Sequence, residues 1–129
     1  DSTINPKQFV VLDDCYYDYL WTKDKPMRLL YLNKSQFKTM LISTMDHPIG
    51  IPPVFRAQFN YIFIFKDSYR PNMLRIWEQY IDGSFLSFDK FTDIMEQITA
   101  CPFECLVIDT NNKYSKNVED YLYWYKAEV

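Results

Sequence analysis

Four runs of apolar residues, rich in β-branched and aromatic side chains, constrain the fold of this chain more than any other feature. They lie at residues 9–12, 39–44, 61–65 and 105–108, and their composition is typical of β-strands. Each run is continuously apolar instead of alternating, which is typical of strands covered on both faces, as in a parallel α/β sheet. We therefore predict a mostly parallel sheet with helices on both faces.

Helical patterns lie between these runs. Apolar residues recur at three- and four-residue spacing over residues 73–81, with Pro71 suited to the first turn and Gly83 to the end. A second helix is predicted over 88–98, with Ser87 as its N-cap. The element order is then strand, helix, strand, short helix, strand, helix, helix, strand, which resembles half of a doubly wound sheet.

The aromatic segment at residues 121–125 fits either a strand or the end of a helix, and both remain open. With 129 residues the chain has the length of one domain. It begins with Asp1 and not Met, so a fragment or a processed chain is expected. No apolar run approaches the roughly 18 residues that cross a bilayer, and we expect no membrane insertion.

Charge is uneven along the chain, whose net charge is −3. Residues 1–66 hold 8 Lys/Arg and 6 Asp/Glu, whereas residues 67–129 hold 6 and 11. The basic surplus is mainly a cluster formed by Lys23, Lys25, Arg28, Lys34 and Lys38. This basic cluster fits either a phosphate contact or a solvated surface.

Cys15, Cys101 and Cys105 form no C-x-x-C pair, and His47 is the single histidine. This pattern indicates neither a disulfide framework nor a zinc finger.

Two carboxylates follow the first apolar run directly, in Phe-Val-Val-Leu-Asp-Asp at 9–14. In P-loop ATPases a strand delivers one acid to the Mg²⁺ shell at its C-terminal end, and a neighbouring carboxylate can polarise the attacking water. In this interpretation Asp13 serves the metal and Asp14 the water. A strand that ends in two acids for solubility remains the alternative.

The second run ends in Ser43 and Thr44, followed by Asp46. Because adjacent strand ends converge on the ligand crevice of an open α/β sheet, these residues are candidates for sensing the γ-phosphate. Arg56 lies between two predicted central strands, where a cation at a subunit edge can stabilise transferred phosphate charge. A surface arginine is the alternative.

The stretch from residue 9 to residue 127 resembles the C-terminal half of the DNA-packaging ATPases of large nucleocytoplasmic DNA viruses. These are poxvirus-type packaging ATPases of the FtsK/HerA branch of P-loop ATPases. The matching segments are Phe-Val-Val-Leu-Asp-Asp-Cys at 9–15, Tyr-Leu-Asn at 31–33, Leu-Ile-Ser-Thr at 41–44, Gly-Ile-Pro-Pro-Val-Phe-Arg at 50–56, Tyr-Ile-Phe-Ile-Phe at 61–65, Glu-Cys-Leu-Val-Ile-Asp at 104–109 and Trp-Tyr-Lys-Ala at 124–127.

The resemblance implies the C-terminal half of a RecA-like sheet that binds ATP and Mg²⁺. It gives Asp13 and Asp14 the Walker B roles, Ser43, Thr44 and Asp46 the sensor region, and Arg56 the arginine finger. It further implies a homo-oligomeric ring that moves double-stranded DNA independently of sequence into a capsid, with capsid or portal-vertex proteins as partners. The implied location is the virus factory in the host cytoplasm, or the virion.

Three departures from the family pattern stand out. Lys34, Ser35 and Gln36 replace Gly-Arg-His, Asp46 replaces Gln, and Gln58 and Asn60 replace Asn and Asp. Asp46 would place negative charge near a phosphate.

No G-x-x-x-x-G-K-[ST] occurs in the sequence. We therefore expect this stretch to hydrolyse ATP only when joined to a Walker A portion upstream. The alternative function is a degenerate, non-catalytic relative that acts as a structural or assembly protein of the virion. A fragment of an unrelated α/β phosphotransferase is a third hypothesis.

Overall fold

The helices and strands follow one another in the predicted order, with one additional strand near residue 126. The computed structural model describes residues 7–16, 18–48, 50–82 and 84–128. The chain divides into two units, residues 1–58 and residues 59–129. Each unit is described by itself.

The first unit is a strand–helix–strand arrangement followed by a short helix. Its elements are β1 (Gln8–Asp13), a 3₁₀ turn (Tyr19–Lys23), α1 (Lys25–Asn33), β2 (Thr39–Thr44) and α2 (Pro53–Arg56). β1 and β2 pair in parallel, as predicted. Their carboxyl ends therefore lie side by side at one edge of this two-stranded sheet.

Capping residues set where α1 begins. The Asp24 side chain accepts a hydrogen bond from the backbone N–H of Met27 at 3.1 Å, and Pro26 occupies the first turn. Both features satisfy or remove amide donors that have no partner inside the helix. The helix therefore begins directly after the 3₁₀ turn and carries the chain back to the start of β2.

Four aromatic rings form the centre of the first unit. The Trp21 ring lies 5.0 Å from Tyr16, 5.6 Å from Tyr31 and 5.1 Å from Phe55, and Tyr31 lies 5.4 Å from Phe55, all between ring centroids. Such ring pairs contribute stabilisation beyond that from burying the apolar surface of the rings. The cluster joins the loop after β1, the 3₁₀ turn, α1 and α2.

The second unit packs two helices on one face of a three-stranded sheet. Its elements are β3 (Tyr61–Phe65), α3 (Arg70–Ile76), a π-helical turn (Trp77–Ile81), α4 (Phe88–Ile98), β4 (Glu104–Asp109), a 3₁₀ turn (Val118–Asp120) and β5 (Leu122–Lys126). The core residues are Ile64, Met73, Ile76, Ile81, Leu86, Phe91, Met95, Leu106 and Ile108. Residues 121–125, whose type was left open, belong mainly to a strand.

The mostly parallel sheet that we predicted is not found. Among the residues that the structure describes, only β1 and β2 are parallel, and β4 pairs antiparallel with both β3 and β5. Two helices, α3 and α4, connect β3 to β4. The first carries the chain back along the sheet and the second returns it to the end where β3 stopped, so β4 runs in the opposite direction. The continuously apolar sequence of β4 correctly indicated that the strand is buried on both faces. It carries no information about the direction in which the strand runs.

The helix predicted over residues 73–81 is α-helical only as far as Ile76 and continues as a π-helical turn. The wider turn accompanies a hydrogen bond from the Trp77 indole to the carbonyl of Leu86 at 2.9 Å. Gly83, the expected end of this helix, lies outside the described residues. The helix predicted over residues 88–98 is confirmed as α4, and the side chain of its predicted N-cap, Ser87, accepts a hydrogen bond from the N–H of Lys90.

Among the described helices, none is both long and apolar enough to cross a bilayer.

Candidate active site

The carboxylate of Asp13 and the hydroxyl of Thr44 meet at the ends of β1 and β2. The two residues are the last register pair of the parallel ladder, and both are exposed. The Thr44 hydroxyl donates a hydrogen bond to the Asp13 carboxylate. Opposite residues of a ladder point to the same face, so strand geometry alone places these two side chains together.

Asp14 continues the chain in an unusual backbone conformation. Its φ is 46°, in the left-handed region that Asp and Asn tolerate better than most residues. Its N–H donates to the carbonyl and to the hydroxyl of Thr44, each at 3.2 Å. The Thr44 hydroxyl thus bridges the Asp13 side chain and the Asp14 backbone, and the Asp14 carboxylate stays exposed.

Ser43 lies on the opposite face of β2 from Thr44, because successive residues of a strand alternate. Its hydroxyl accepts from the Tyr16 hydroxyl at 2.6 Å and lies 3.0 Å from the Tyr31 hydroxyl. The two tyrosine hydroxyls are also hydrogen-bonded to each other. Of the two hydroxyl residues predicted near the phosphate, Thr44 is the one brought beside Asp13.

The tyrosine hydroxyls of this region were not predicted from the sequence. Tyr16 and Tyr31 are buried, and 15 residues separate them along the chain. Tyr31 lies in the Tyr-Leu-Asn segment, which indicated family likeness but no chemistry. In a single sequence, a tyrosine whose hydroxyl is buried and hydrogen-bonded cannot be distinguished from any other tyrosine.

Asp46 and Arg56 belong to the same unit. Asp46 is exposed at a bend two residues after β2, and Arg56 is half-buried at the end of α2. The buried ring of Phe55 anchors α2 in the aromatic cluster. Within the part of the chain that the structure describes, no ion pair joins Arg56 to either Asp13 or Asp46.

Asp13 and Thr44 are the side chains of this site that could contact a magnesium ion. Over residues 7–16, 18–48, 50–82 and 84–128, no group of three or more His, Cys, Asp or Glu could hold a metal. Mg²⁺ usually binds one or two carboxylates together with waters and substrate phosphates. Asp13 would supply one such carboxylate, which is exposed, and the Thr44 hydroxyl lies beside it.

The basic cluster is not uniform. Lys23, Lys25, Arg28 and Lys38 are exposed, whereas the Lys34 ammonium donates a hydrogen bond to the carbonyl of Gln58. Burial lowers the pKa of Lys34 from its ordinary value, since desolvation disfavours the charged form. Four of the five side chains therefore present their charge to solvent.

No known protein-family profile matches the chain. It is 30% identical over 125 residues to an uncharacterized protein of Acanthamoeba polyphaga mimivirus, covering 96% of this chain and 43% of that protein. It is 28% identical over 123 residues to an uncharacterized protein of Invertebrate iridescent virus 6, covering 95% and 47%. The chain therefore spans less than half the length of these viral relatives.

Solved structures similar to this chain include the genome packaging NTPase of Sulfolobus turreted icosahedral virus 2. The complex with AMP matches with a TM-score of 0.67 at 13% identity, over 95% of this chain and 54% of that one. The complex with ATP-gammaS matches with a TM-score of 0.66 over 95% and 53%. The chain thus has the mixed α/β fold of about half of a viral genome packaging NTPase.

Proposed function

We propose that this chain is the Walker B-containing portion of an ATPase that packages viral double-stranded DNA into a capsid. The observation that carries the proposal is the meeting of Asp13 and Thr44 at the ends of two adjacent parallel strands. The fold shared with a genome packaging NTPase supports it. That NTPase was solved with AMP, AMPPCP and ATP-gammaS, which supports a nucleotide as the ligand here.

In the proposed site Asp13 would hold Mg²⁺, which neutralises charge on the transferred phosphate. The Thr44 hydroxyl fixes one rotamer of the Asp13 carboxylate, so its oxygen is oriented before nucleotide binds. Asp14 would accept a proton from, or orient, the attacking water, and its exposed carboxylate is available for that contact. The backbone bonds from Asp14 to Thr44 hold this acid near the end of β2.

Arg56 would act across a subunit boundary. Its backbone N–H donates to the carbonyl of Pro52. Its guanidinium makes no hydrogen bond or ion pair with the described residues. An arginine supplied to a neighbouring subunit needs this availability. The proposal therefore includes a homo-oligomeric ring of the FtsK/HerA type, with a Walker A segment provided by another part of the protein.

Contact with DNA would be electrostatic and independent of sequence. The exposed cations Lys23, Lys25, Arg28 and Lys38 lie in the unit that carries the acidic site. Phosphate contacts of this kind release counterions, so the affinity should fall steeply with salt. Capsid or portal-vertex proteins would receive the DNA.

The test is ATP hydrolysis by the protein encoded by the complete coding region. Asp14→Asn keeps the shape of the side chain and tolerates a positive φ. We expect it to lower turnover by roughly 10²–10⁴-fold, the usual contribution of a positioned acid or base, with Mg-ATP binding retained. Asp93→Asn removes a comparably exposed carboxylate of α4 and should leave turnover unchanged. Unchanged turnover in Asp14→Asn would remove the proposed role.

A non-catalytic assembly protein is the second candidate, and Asp46 favours it. An exposed carboxylate two residues beyond Thr44 would repel a γ-phosphate bound at the same strand ends. If this candidate is right, the full-length protein neither hydrolyses ATP nor binds it in calorimetry. If the motor is right, Asp46→Gln should raise turnover or lower KM.

A further inference from the structure

The sheet of the second unit is apolar on both faces, but its own helices cover only one. On the covered face, Ile64, Leu106 and Ile108 pack in the core with residues of α3 and α4. The strand register places alternate residues of the three strands on the opposite face. That face, called here the aromatic face, consists of Tyr61, Phe63, Phe65, Cys105, Val107, Asp109, Tyr123 and Tyr125.

The rings of the aromatic face are strongly exposed. Phe65 is 65% exposed, Phe63 55% and Tyr125 52%. The rings of Phe63 and Tyr125 contact each other edge to face, with centroids 6.5 Å apart, and Val107 of the central strand is buried. Five aromatic side chains about half exposed amount to roughly 500 Å² of surface, near the upper end of what soluble proteins leave uncovered.

The chemistry of the aromatic face indicates an apolar partner. Asp109 is the one charged residue that β3, β4 and β5 place on it. Its carboxylate is buried and accepts from the N–H of Asn111 at 3.0 Å and the side-chain amide of Asn112 at 2.9 Å. Lys126 lies on the other face, where its ammonium is 3.8 Å from Glu104. A nucleic acid would require cations here to meet its phosphates.

We propose that the aromatic face is the docking surface for a part of the same polypeptide that lies outside these 129 residues. A central strand that is apolar on both faces is typical of a sheet enclosed between two layers, and β4 has this pattern in Cys-Leu-Val-Ile. The viral relatives extend well beyond the matched region, which is 43% and 47% of their lengths. A covalently attached layer also binds at high effective concentration.

Hydroxyl-radical footprinting of the full-length protein tests this proposal with native side chains. Phe63, Phe65 and Tyr125 should be oxidised several-fold more slowly than Tyr69, Phe85 and Tyr114 of the same unit. These control residues are 62%, 63% and 65% exposed, so equal exposure in the whole protein would give equal rates. Equal rates would overturn the proposal.

A photo-crosslinking amino acid at position 63 identifies the protecting layer. We expect cross-links to residues of the same molecule that lie outside the 129 residues of this sequence. Protection that disappears in the isolated monomer, with cross-links between molecules, would overturn the proposal in favour of a second copy. Cross-links confined to residues 1–58 would overturn it in favour of the first unit.

Paired variants give a separate measurement. In the full-length protein, Phe63→Asp should lower the Tm clearly, because it places a charge under a docked apolar layer. Phe85→Asp, at a position at least as exposed in the second unit, should have little effect. Equal Tm values for the two variants would contradict the proposal. None of these readouts depends on ATP hydrolysis, so the proposal stands or fails separately from the proposed function.

Discussion

The hydroxyl of Thr44 donates to the carboxylate of Asp13 and accepts from the backbone N–H of Asp14. One side chain of β2 therefore contacts both residues that follow the apolar run of β1, through the carboxylate of Asp13 and the backbone of Asp14. The pairing of two strand ends, separated by 31 residues along the chain, makes a two-residue acidic motif into a defined arrangement.

The first prediction concerns this hydroxyl. In the full-length protein, Thr44→Val keeps the shape of the side chain and removes the donor to Asp13. A hydrogen bond to a charged group contributes about 1.5–3 kcal/mol, so we expect turnover to fall by roughly ten- to a hundredfold. Thr44→Ser keeps the hydroxyl and should retain most activity in steady-state ATPase assays. Similar losses in both variants would indicate that the methyl group, and not the hydrogen bond, matters.

The second prediction concerns Arg56 and requires mixing of subunits. Arg56→Ala should lower kcat by about 10³–10⁵-fold if the guanidinium stabilises the transferred phosphate charge. If the arginine acts on a neighbouring subunit, an inactive Arg56→Ala protein mixed with an inactive Asp14→Asn protein should regain part of the activity. The mixed rings contain some sites with both groups intact. A mixture as inactive as its components would contradict action between subunits.

The third prediction concerns stability of the first unit. Tyr31→Phe removes a buried hydroxyl that contacts both Tyr16 and Ser43. The Tyr16–Ser43 hydrogen bond remains, so the change removes hydrogen bonds that contribute about 0.5–1.5 kcal/mol each, and we expect a lower Tm in thermal unfolding. Tyr69→Phe removes a hydroxyl from a ring that is 62% exposed and should change the Tm little. Equal effects would show that the buried hydroxyls contribute nothing specific.

The fourth prediction concerns the thiols of the second unit. Cys101 is exposed in a turn, whereas Cys105 is buried in β4, and burial raises the pKa of Cys105 above its ordinary 9.0. In the folded protein at pH 8, maleimide should label Cys101 quickly and Cys105 slowly, because the thiolate is the reactive form.

The same shift has a consequence for stability. Because burial disfavours the thiolate in the folded state, the fold keeps its full stability below pH 9.0 and loses stability as the pH rises from 9.0 through the folded-state pKa. Labelling of Cys105 should therefore increase steeply above pH 9.0, with local unfolding observed by circular dichroism. Equal labelling of both thiols at pH 8 would contradict the burial of Cys105.

Local features of the fold were predictable because neighbouring residues determine them. The apolar run at residues 39–44 became β2 with the predicted bounds, and Ser87 caps α4 as predicted. The direction of β4 was not predictable, since a strand's own residues do not state which way it runs. The π-helical turn after Ile76 was missed because its apolar spacing also fits an α-helix.

The candidate site was predictable in part for the same reason. Asp13, Asp14 and Thr44 were identified at strand ends, and the parallel pairing of β1 with β2 brings them together. The tyrosine contacts of Ser43 depend on packing between α1 and the loop after β1. Such contacts join distant residues, and no local pattern of spacing indicates them.

The alternation of Ser43 and Thr44 makes the strand register part of the site's assembly. A slip of β2 by one residue against β1 would exchange their faces, so that Ser43 would meet Asp13 and Thr44 would face Tyr16 and Tyr31. The extra methyl group of Thr44 would then enter a space filled by two tyrosine hydroxyls. Only correctly paired molecules can both close the aromatic interior and bring Thr44 beside Asp13, so a register slip would destabilise the unit and break the Asp13–Thr44 hydrogen bond.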